Sequence, residues 1–189
     1  MKYIIITESV ILPIMISIKA VILHRNGIKA IRLVRPDKNI SALVFMIFCF
    51  AYAMLSGVLN LPFPSAAVKP FWDIEILNVV AVMICTTSLI WFGITLKVFG
   101  NSFRIGIDEK TNNKLMTSGT FALSRNPVFI AFIGFFLGFF SAFSNMVTSA
   151  FLILLIIMIH IQILKEEIFL ENHYGEEYKH YRKKVRRYI

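Results

Sequence analysis

A polar stretch, Leu-Met-Thr-Ser-Gly-Thr-Phe-Ala-Leu-Ser-Arg-Asn-Pro-Val-Phe, runs from Leu115 to Phe129 between two long apolar regions. Arg125 lies where an apolar segment begins, and Pro127 suits the first turn of a helix, where its missing N–H is not needed. A charged residue at the mouth of an apolar helix is a candidate functional residue. The stretch therefore predicts a polar site at one edge of a membrane domain.

The composition of the chain is typical of a membrane protein. Of its 189 residues, 57% are hydrophobic and 16% are charged, and several apolar runs approach the ~20 residues that a helix needs to cross a bilayer. The net charge of +9 comes from basic residues in short segments beside those runs. Such a distribution is typical of cytoplasmic loops and argues against nucleic-acid binding.

Five apolar segments predict an all-α integral membrane protein with five transmembrane helices, over residues 4–23, about 40–61, about 74–98, 127–143 and 146–164. The basic loop after the first segment and the basic tail after the fifth place the N-terminus outside and the C-terminus in the cytoplasm. Only Ser144 and Asn145 separate the last two segments, which are therefore expected to pack as a tight helical hairpin. Gly134 and Gly138 are expected to allow close backbone contact there, with close approach to a bound ligand as the alternative.

Helical periodicity continues beyond the fifth segment. Polar and aromatic residues follow at steps of four and three, which places them on one helix face: His160, Leu164, Glu167, Glu171, Tyr174, Tyr178 and Tyr181. Gly175 is expected to end this helix. The tyrosines and basic residues from 178 to 189 are typical of a cytoplasmic amphipathic helix in an interfacial belt.

A second polar edge, Lys165-Glu166-Glu167, follows the last apolar segment. Carboxylates at that depth require a cation. Arg125 is one source, as a purely structural bridge to Glu167. A zwitterionic ligand is the other, with its ammonium on the glutamates and its carboxylate on the forked guanidinium of Arg125. The pattern leaves both alternatives open.

Other chemistries find little support in the sequence. It holds no G-x-G-x-x-G loop after a strand and no Walker loop, and its four histidines lack the spacing of a zinc site. Glu177 and His180 form an isolated E-x-x-H, whereas a di-iron bundle needs two. Cys49 and Cys85 lie inside apolar runs, so we expect packing roles and neither a disulfide nor a metal.

Two motifs resemble those of the isoprenylcysteine carboxyl methyltransferases. The first is Leu-Met-Thr-Ser-Gly-Thr-Phe followed by Arg-Asn-Pro-Val-Phe, in the polar stretch from Leu115 to Phe129. The second is Glu-Glu-Ile, from Glu166, followed by Tyr-Gly-Glu-Glu-Tyr and Tyr181. The likeness covers about residues 95–188. The family pattern has histidine where Asn126 stands, and tyrosines where Phe121 and Phe129 stand.

The apolar pattern predicts a single membrane domain over residues 1–189, with two N-terminal spans in 1–73. The resemblance does not extend to those two spans, and it implies that the core in 74–189 is a methyltransferase that binds S-adenosylmethionine. It implies catalytic roles for Arg125 and Glu167. Contacts to the cofactor are implied for Leu115, Met116, Gly119, Phe121, Asn126, Pro127, Phe129, Glu166 and Glu167. The implied reaction is O-methylation of the carboxylate of a lipid-modified, isoprenylcysteine-like acceptor that enters from the bilayer.

The sequence leaves alternative functions open. A carboxylate acceptor is already ionised at neutral pH and needs no general base. A phospholipid N-methyltransferase, whose acceptor is an amine, would need a base such as His160 or Glu167. A sterol-type membrane reductase would use NADPH and more arginines near Arg125. A membrane scaffold without enzymatic activity is the fourth alternative.

Overall fold

The computed structural model describes residues 1–27, 52, 62, 64–102 and 115–189. Within these ranges the secondary structure is entirely helical. Short 3-10 turns follow the third α-helix and precede the fourth, at Gly100–Ser102 and Gly119–Ala122. The α-helices are α1 (Lys2–Arg25), α2 (Ser65–Val68), α3 (Glu75–Phe99), α4 (Pro127–Ala142), α5 (Met146–Tyr174) and α6 (Glu176–Lys184).

Three of the described helices are long and apolar enough to cross a bilayer: α1, α5, and α3 together with the 3-10 turn that follows it. Helix α4 is apolar but shorter, with 16 residues. The second predicted span, about residues 40–61, lies outside the described residues except for Tyr52. The number of five spans and the orientation of the termini therefore stay predictions.

The most extensive helix contact in the described chain joins α3 and α4. A Cβ atom added to Gly138 would lie 2.7 Å from Cys85 Sγ and 3.0 Å from the Ala81 carbonyl oxygen, and one added to Gly134 would lie 2.6 Å from Ser88 Oγ. The glycine pair thus allows close packing, but against α3 and not within the expected hairpin. Small side chains on α3 provide the matching surface.

Helix α5 packs on α4 through larger side chains. Its buried residues Phe151, Leu155, Ile159 and Ile163 form one apolar cluster with phenylalanines of α4. Asn145 caps the start of α5: its Oδ1 accepts from Thr148 N, and Thr148 Oγ1 accepts from Asn145 N, both at 3.0 Å. This reciprocal pair satisfies two backbone donors that would otherwise be free.

At its other end, α5 continues unbroken past the apolar segment and ends at Gly175, as the sequence predicts. Gly175 has φ +54°, a conformation that glycine adopts at little cost. The chain therefore turns there before α6 begins. This turn brings the C-terminal residues back over the polar edge of the helices.

The end of the bundle that is remote from the polar stretch is joined by hydrogen bonds. Trp72 Nε1 donates to the Ser141 carbonyl at 3.1 Å, and Phe71 N donates to the Ser144 carbonyl at 2.7 Å. Lys2 Nζ lies 2.8 Å from a carboxylate oxygen of Asp73. These contacts connect the segment before α3 with the α4–α5 turn and with the start of α1.

Candidate active site

The polar stretch is anchored on the end of α3. Gly119, at φ +62°, lies so close to Val98 that an added Cβ would approach the valine Cγ2 to 2.8 Å. Phe121 is buried, with its ring edge-to-face against that of Phe99 at 4.9 Å between centroids. Trp91 Nε1 donates to the Pro127 carbonyl at 2.9 Å. These contacts fix the backbone on both sides of Arg125.

Helix α6 covers the polar stretch with two buried tyrosines. Tyr181 donates its hydroxyl to the Phe121 carbonyl at 2.6 Å, and Arg125 Nη1 donates to the Tyr178 hydroxyl at 3.4 Å. Lys179 and Arg182, between and beside them, are exposed. The interfacial-belt interpretation is therefore wrong for Tyr178 and Tyr181, because both phenols are buried in the protein and bound to the polar stretch.

The last residues of the chain lie along the polar stretch. The Arg186 carbonyl accepts from Arg125 N at 3.0 Å. The Arg187 carbonyl accepts from Ser124 Oγ at 3.2 Å and from Asn126 Nδ2 at 3.0 Å. These three hydrogen bonds fix the position of the Arg187 backbone, and with it the direction of its side chain.

Arg125, Glu167 and Arg187 form an ionic group that we call the Glu167 cluster. Arg125 Nη2 lies 3.0 Å from Glu167 Oε1. Arg187 binds the same carboxylate with two nitrogens, Nε to Oε1 at 3.0 Å and Nη2 to Oε2 at 2.8 Å. The side chains of Arg125 and Glu167 are each 7% exposed, and that of Arg187 is 30% exposed. The two polar edges of the sequence thus converge, as predicted.

The Glu167 cluster has more positive than negative charge, because two guanidinium groups share one carboxylate. Arg125 Nε is buried and has no hydrogen-bond partner among the described residues, and a buried unpaired donor costs about 1–3 kcal/mol. The hydrogen bond that Arg187 donates to Glu167 raises the pKa of Arg187. Burial raises the pKa of Tyr178, and the negative charge of Glu167 raises it further. Both groups therefore keep their protons at neutral pH.

Glu166 lies next to the cluster in sequence but makes a different contact. It accepts a hydrogen bond from Gln162 Nε2, one helical turn earlier, at 2.9 Å. Its side chain is thus held by a neutral amide, whereas the Glu167 carboxylate is held by two cations. The two glutamates, which the sequence treated as a pair, have different electrostatic environments.

The second polar contact between α5 and the tail involves His160. Its Nδ1 lies 2.8 Å from the Tyr188 hydroxyl, and it stands two helical turns before Glu167 on the same helix. Tyr188 and Arg187, adjacent in sequence, therefore both bind α5. His160, the one described histidine in the apolar part of α5, is therefore in contact with the tail.

The remaining predicted residues are not members of the Glu167 cluster. Asn126 and the Phe121 carbonyl contact the covering tail and helix, as described above. Pro127 is the first residue of α4, as predicted. Leu115 and Met116 are half-buried where the described segment begins. Phe129 packs on the apolar cluster of α5 and belongs to the helix core.

The sequence interpretation missed four residues of this site: Tyr178, Tyr181, Arg187 and Tyr188. The spacing Tyr-x-x-Tyr was visible and could have identified the buried face of α6. By contrast, Arg187 lies in a run of basic residues, Arg182, Lys183, Lys184, Arg186 and Arg187. Nothing in that run distinguishes the arginine that turns inward.

The phospholipid methyltransferase family model matches residues 75–177, more than half of the chain. The match begins with α3, includes the polar stretch and both glutamates, and ends in the first turn of α6. Comparisons with curated proteins and with solved structures find no match. The predicted resemblance is confirmed at the level of this family, which is related to the isoprenylcysteine carboxyl methyltransferases. The chain belongs to the phospholipid methyltransferase family of membrane methyltransferases.

Proposed function

We propose that this protein transfers a methyl group from S-adenosylmethionine to an amphiphilic acceptor at the edge of the membrane. The observation that supports this most is the Glu167 cluster. Three charged side chains meet where α4 begins and the apolar part of α5 ends, with Arg125 and Glu167 almost fully buried. Burial of such charges is costly. Binding of a charged ligand at this position would explain why the protein keeps them buried there.

The residues present fit the methionine part of S-adenosylmethionine, which carries both an ammonium and a carboxylate. Arg125 has a buried nitrogen without a partner, which suits a carboxylate. Glu166 is hydrogen-bonded to a neutral amide, so its carboxyl group is available to an ammonium. Glu167 is held by two guanidinium groups, and we assign it as a positioning residue for them. This assignment leaves Glu166 alone to bind the ammonium, which the sequence pattern gave to both glutamates.

When bound, S-adenosylmethionine supplies a methyl group on a positively charged sulfonium. A carboxylate acceptor is ionised at neutral pH, so the protein need not remove a proton. Transfer between opposite charges neutralises both and is favoured where water is excluded. The protein's contribution is then orientation, which can lower a barrier by about 7–11 kcal/mol. We propose a lipid-modified, isoprenylcysteine-like carboxylate, entering from the bilayer, as the acceptor.

N-methylation of a phospholipid amine is the second candidate. It is favoured by the family match and by the contact between His160 and Tyr188. An ammonium acceptor must lose a proton before it can accept a methyl group, and an imidazole at the membrane edge can receive it. Membership of a methyltransferase family favours both candidates over the sterol-type reductase and the scaffold.

Binding and methyl transfer by the purified protein in detergent test the proposal. Calorimetry with S-adenosylhomocysteine, the product form of the cofactor, is expected to show saturable binding. Radiolabelled methyl transfer is then compared between N-acetyl-S-farnesylcysteine and phosphatidylethanolamine. Alkaline hydrolysis releases label as methanol from a methyl ester but not from a methylated amine, so it separates the two candidates. Absence of binding by folded protein, or saturable binding of NADPH instead, would overturn the proposal.

A further inference from the structure

We infer that Arg187, in the C-terminal tail, is a ligand-binding residue, and that Arg125 and Arg187 together bind one anionic group. The group is a carboxylate or a phosphate. Its source is the cofactor or the head of the acceptor, and the experiment below separates these two. The inference rests on the proposed function and extends the site to the end of the chain.

The charge balance of the Glu167 cluster is the first argument. One carboxylate faces two guanidinium groups, and the Tyr178 phenol, which accepts a hydrogen bond from Arg125, is neutral at pH 7. Within the part of the chain that the structure describes, the three side chains therefore carry a net charge of one positive unit next to an apolar region. A single anionic group would neutralise it.

The unused hydrogen-bond donors are the second argument. Arg125 Nε is buried and unpartnered among the described residues, and Arg125 Nη1 makes only the long contact of 3.4 Å to Tyr178. Arg187 donates hydrogen bonds from Nε and Nη2 to Glu167, so its Nη1 can donate to another acceptor. Arginine forks bind carboxylates and phosphates through such paired nitrogens. The free donors and the excess charge thus belong to the same two residues.

The tail backbone is the third argument, because it connects Arg187 to the polar stretch. Its position depends on the bonds that the carbonyls of Arg186 and Arg187 accept from Ser124, Arg125 and Asn126. An anion bound by both arginines would therefore connect the tail to the start of α4. We therefore expect ligand binding to hold the tail more firmly on the polar stretch and to make it less susceptible to proteases.

The experiment compares Arg187→Gln with the matched control Arg182→Gln. Arg182 pairs with Glu171 at 3.0 Å on the exposed side of the tail, so the control removes the same charge away from the site. Calorimetry uses S-adenosylhomocysteine and its decarboxylated analogue, which keeps the ammonium but lacks the carboxylate. Loss of one charge-assisted contact corresponds to about a tenfold weaker affinity or more.

If the anion is the cofactor carboxylate, Arg187→Gln lowers the affinity for S-adenosylhomocysteine about tenfold and leaves the affinity for the decarboxylated analogue unchanged. Arg182→Gln changes neither affinity. If it is the acceptor's head group, both probes bind normally and the acceptor KM rises about tenfold. Equal weakening of both probes, or no change in binding and KM, overturns the inference. Failure of the unmodified protein to bind S-adenosylhomocysteine overturns the proposed function itself.

A measurement on the unmodified protein covers the case in which Arg187→Gln does not fold. Trypsin cleaves after the basic residues of the tail, Lys183, Lys184, Arg186 and Arg187. Saturating S-adenosylhomocysteine, or saturating acceptor if that supplies the anion, is expected to slow this cleavage severalfold, whereas the decarboxylated analogue is not. Cleavage at one rate in the presence and absence of every ligand contradicts the inference.

Discussion

At the scale of single residues, two arginines bind the Glu167 carboxylate. Arg125 is as deeply buried as Glu167, whereas Arg187 is partly exposed. Glu167→Gln removes the negative charge and leaves two guanidinium groups next to each other. Removing one partner of a buried ion pair costs about 3–5 kcal/mol. We therefore expect this variant to lose about that much of the free energy of unfolding, measured by denaturation in detergent.

Glu171→Gln is the matched control for this prediction. Glu171 lies one turn further along α5 and pairs with Arg182, with both side chains more than a third exposed. Such a pair is worth roughly 0–1 kcal/mol. If the two variants lose the same free energy of unfolding, the Glu167 cluster contributes no more to stability than an exposed ion pair. Its role would then be limited to the ligand.

Tyr181 provides a prediction of pH dependence. Burial raises its pKa from 10.0 to about 12, with a smaller contribution from Tyr178 and an opposing one from Arg125. Because the folded state favours the neutral phenol, this stabilisation is complete below about pH 10 and is lost as the pH rises towards 12. Near-ultraviolet absorbance of the unmodified protein minus that of Tyr181→Phe is expected to give a transition near pH 12. A transition near pH 10 in this difference would show that the phenol is accessible to water.

At the scale of elements, the contact between α3 and α4 depends on Gly138. A Cβ at this position would meet the Ala81 carbonyl oxygen and Cys85 N, at 3.0 and 3.2 Å, and backbone atoms cannot rotate away. Overpacking of this kind typically costs about 1–3 kcal/mol. Gly138→Ala is therefore expected to lower the thermal midpoint of the purified protein.

Gly134→Ala is the matched control on the same face of α4. The added Cβ would meet a side-chain atom, Ser88 Oγ, which can rotate to another position. Alanine also has a higher helix propensity than glycine by about 1 kcal/mol. We expect this variant to be close to the unmodified protein in stability. Equal losses in both variants would mean that the helices separate uniformly and do not depend on one close approach.

The same elements indicate what the sequence can predict. The end of α5 at Gly175 and the convergence of Arg125 with Glu167 were predictable, because both follow from local patterns: a glycine after a helical run, and charges at two membrane edges. By contrast, the packing of Gly134 and Gly138 against α3 was not predictable. Neighbours in sequence favour a hairpin of α4 with α5, and only the tertiary structure shows which surface has side chains small enough for close contact.

Arg187 illustrates the other limit of sequence interpretation. Its inward direction depends on the turn at Gly175, the length of α6 and the extended backbone at Val185, which has φ −119° and ψ 132°. Because these three features act together over a dozen residues, the residue that reaches Glu167 depends on all of them. Composition alone therefore identifies a basic tail but not the arginine that binds.

At the scale of the whole molecule, the described helices have two chemically different ends. The end with Trp72 and the α4–α5 turn carries Lys2 and Lys69, with Lys2 paired to Asp73. The end with the Glu167 cluster carries most of the described basic residues, including those of the tail. Since cytoplasmic loops are rich in lysine and arginine, we predict that the cluster and the C-terminus lie in the cytoplasm.

Cysteine labelling in intact cells tests this orientation. Met146→Cys places a thiol at one end, where Met146 is 60% exposed, and Lys183→Cys places one on the exposed face of α6. A membrane-impermeant maleimide should label the first variant in intact cells and the second only after permeabilisation, with the unmodified protein as the blank. The reverse pattern would place the Glu167 cluster outside the cell. There the intracellular supply of S-adenosylmethionine would not reach it, so the same result would also contradict the proposed function.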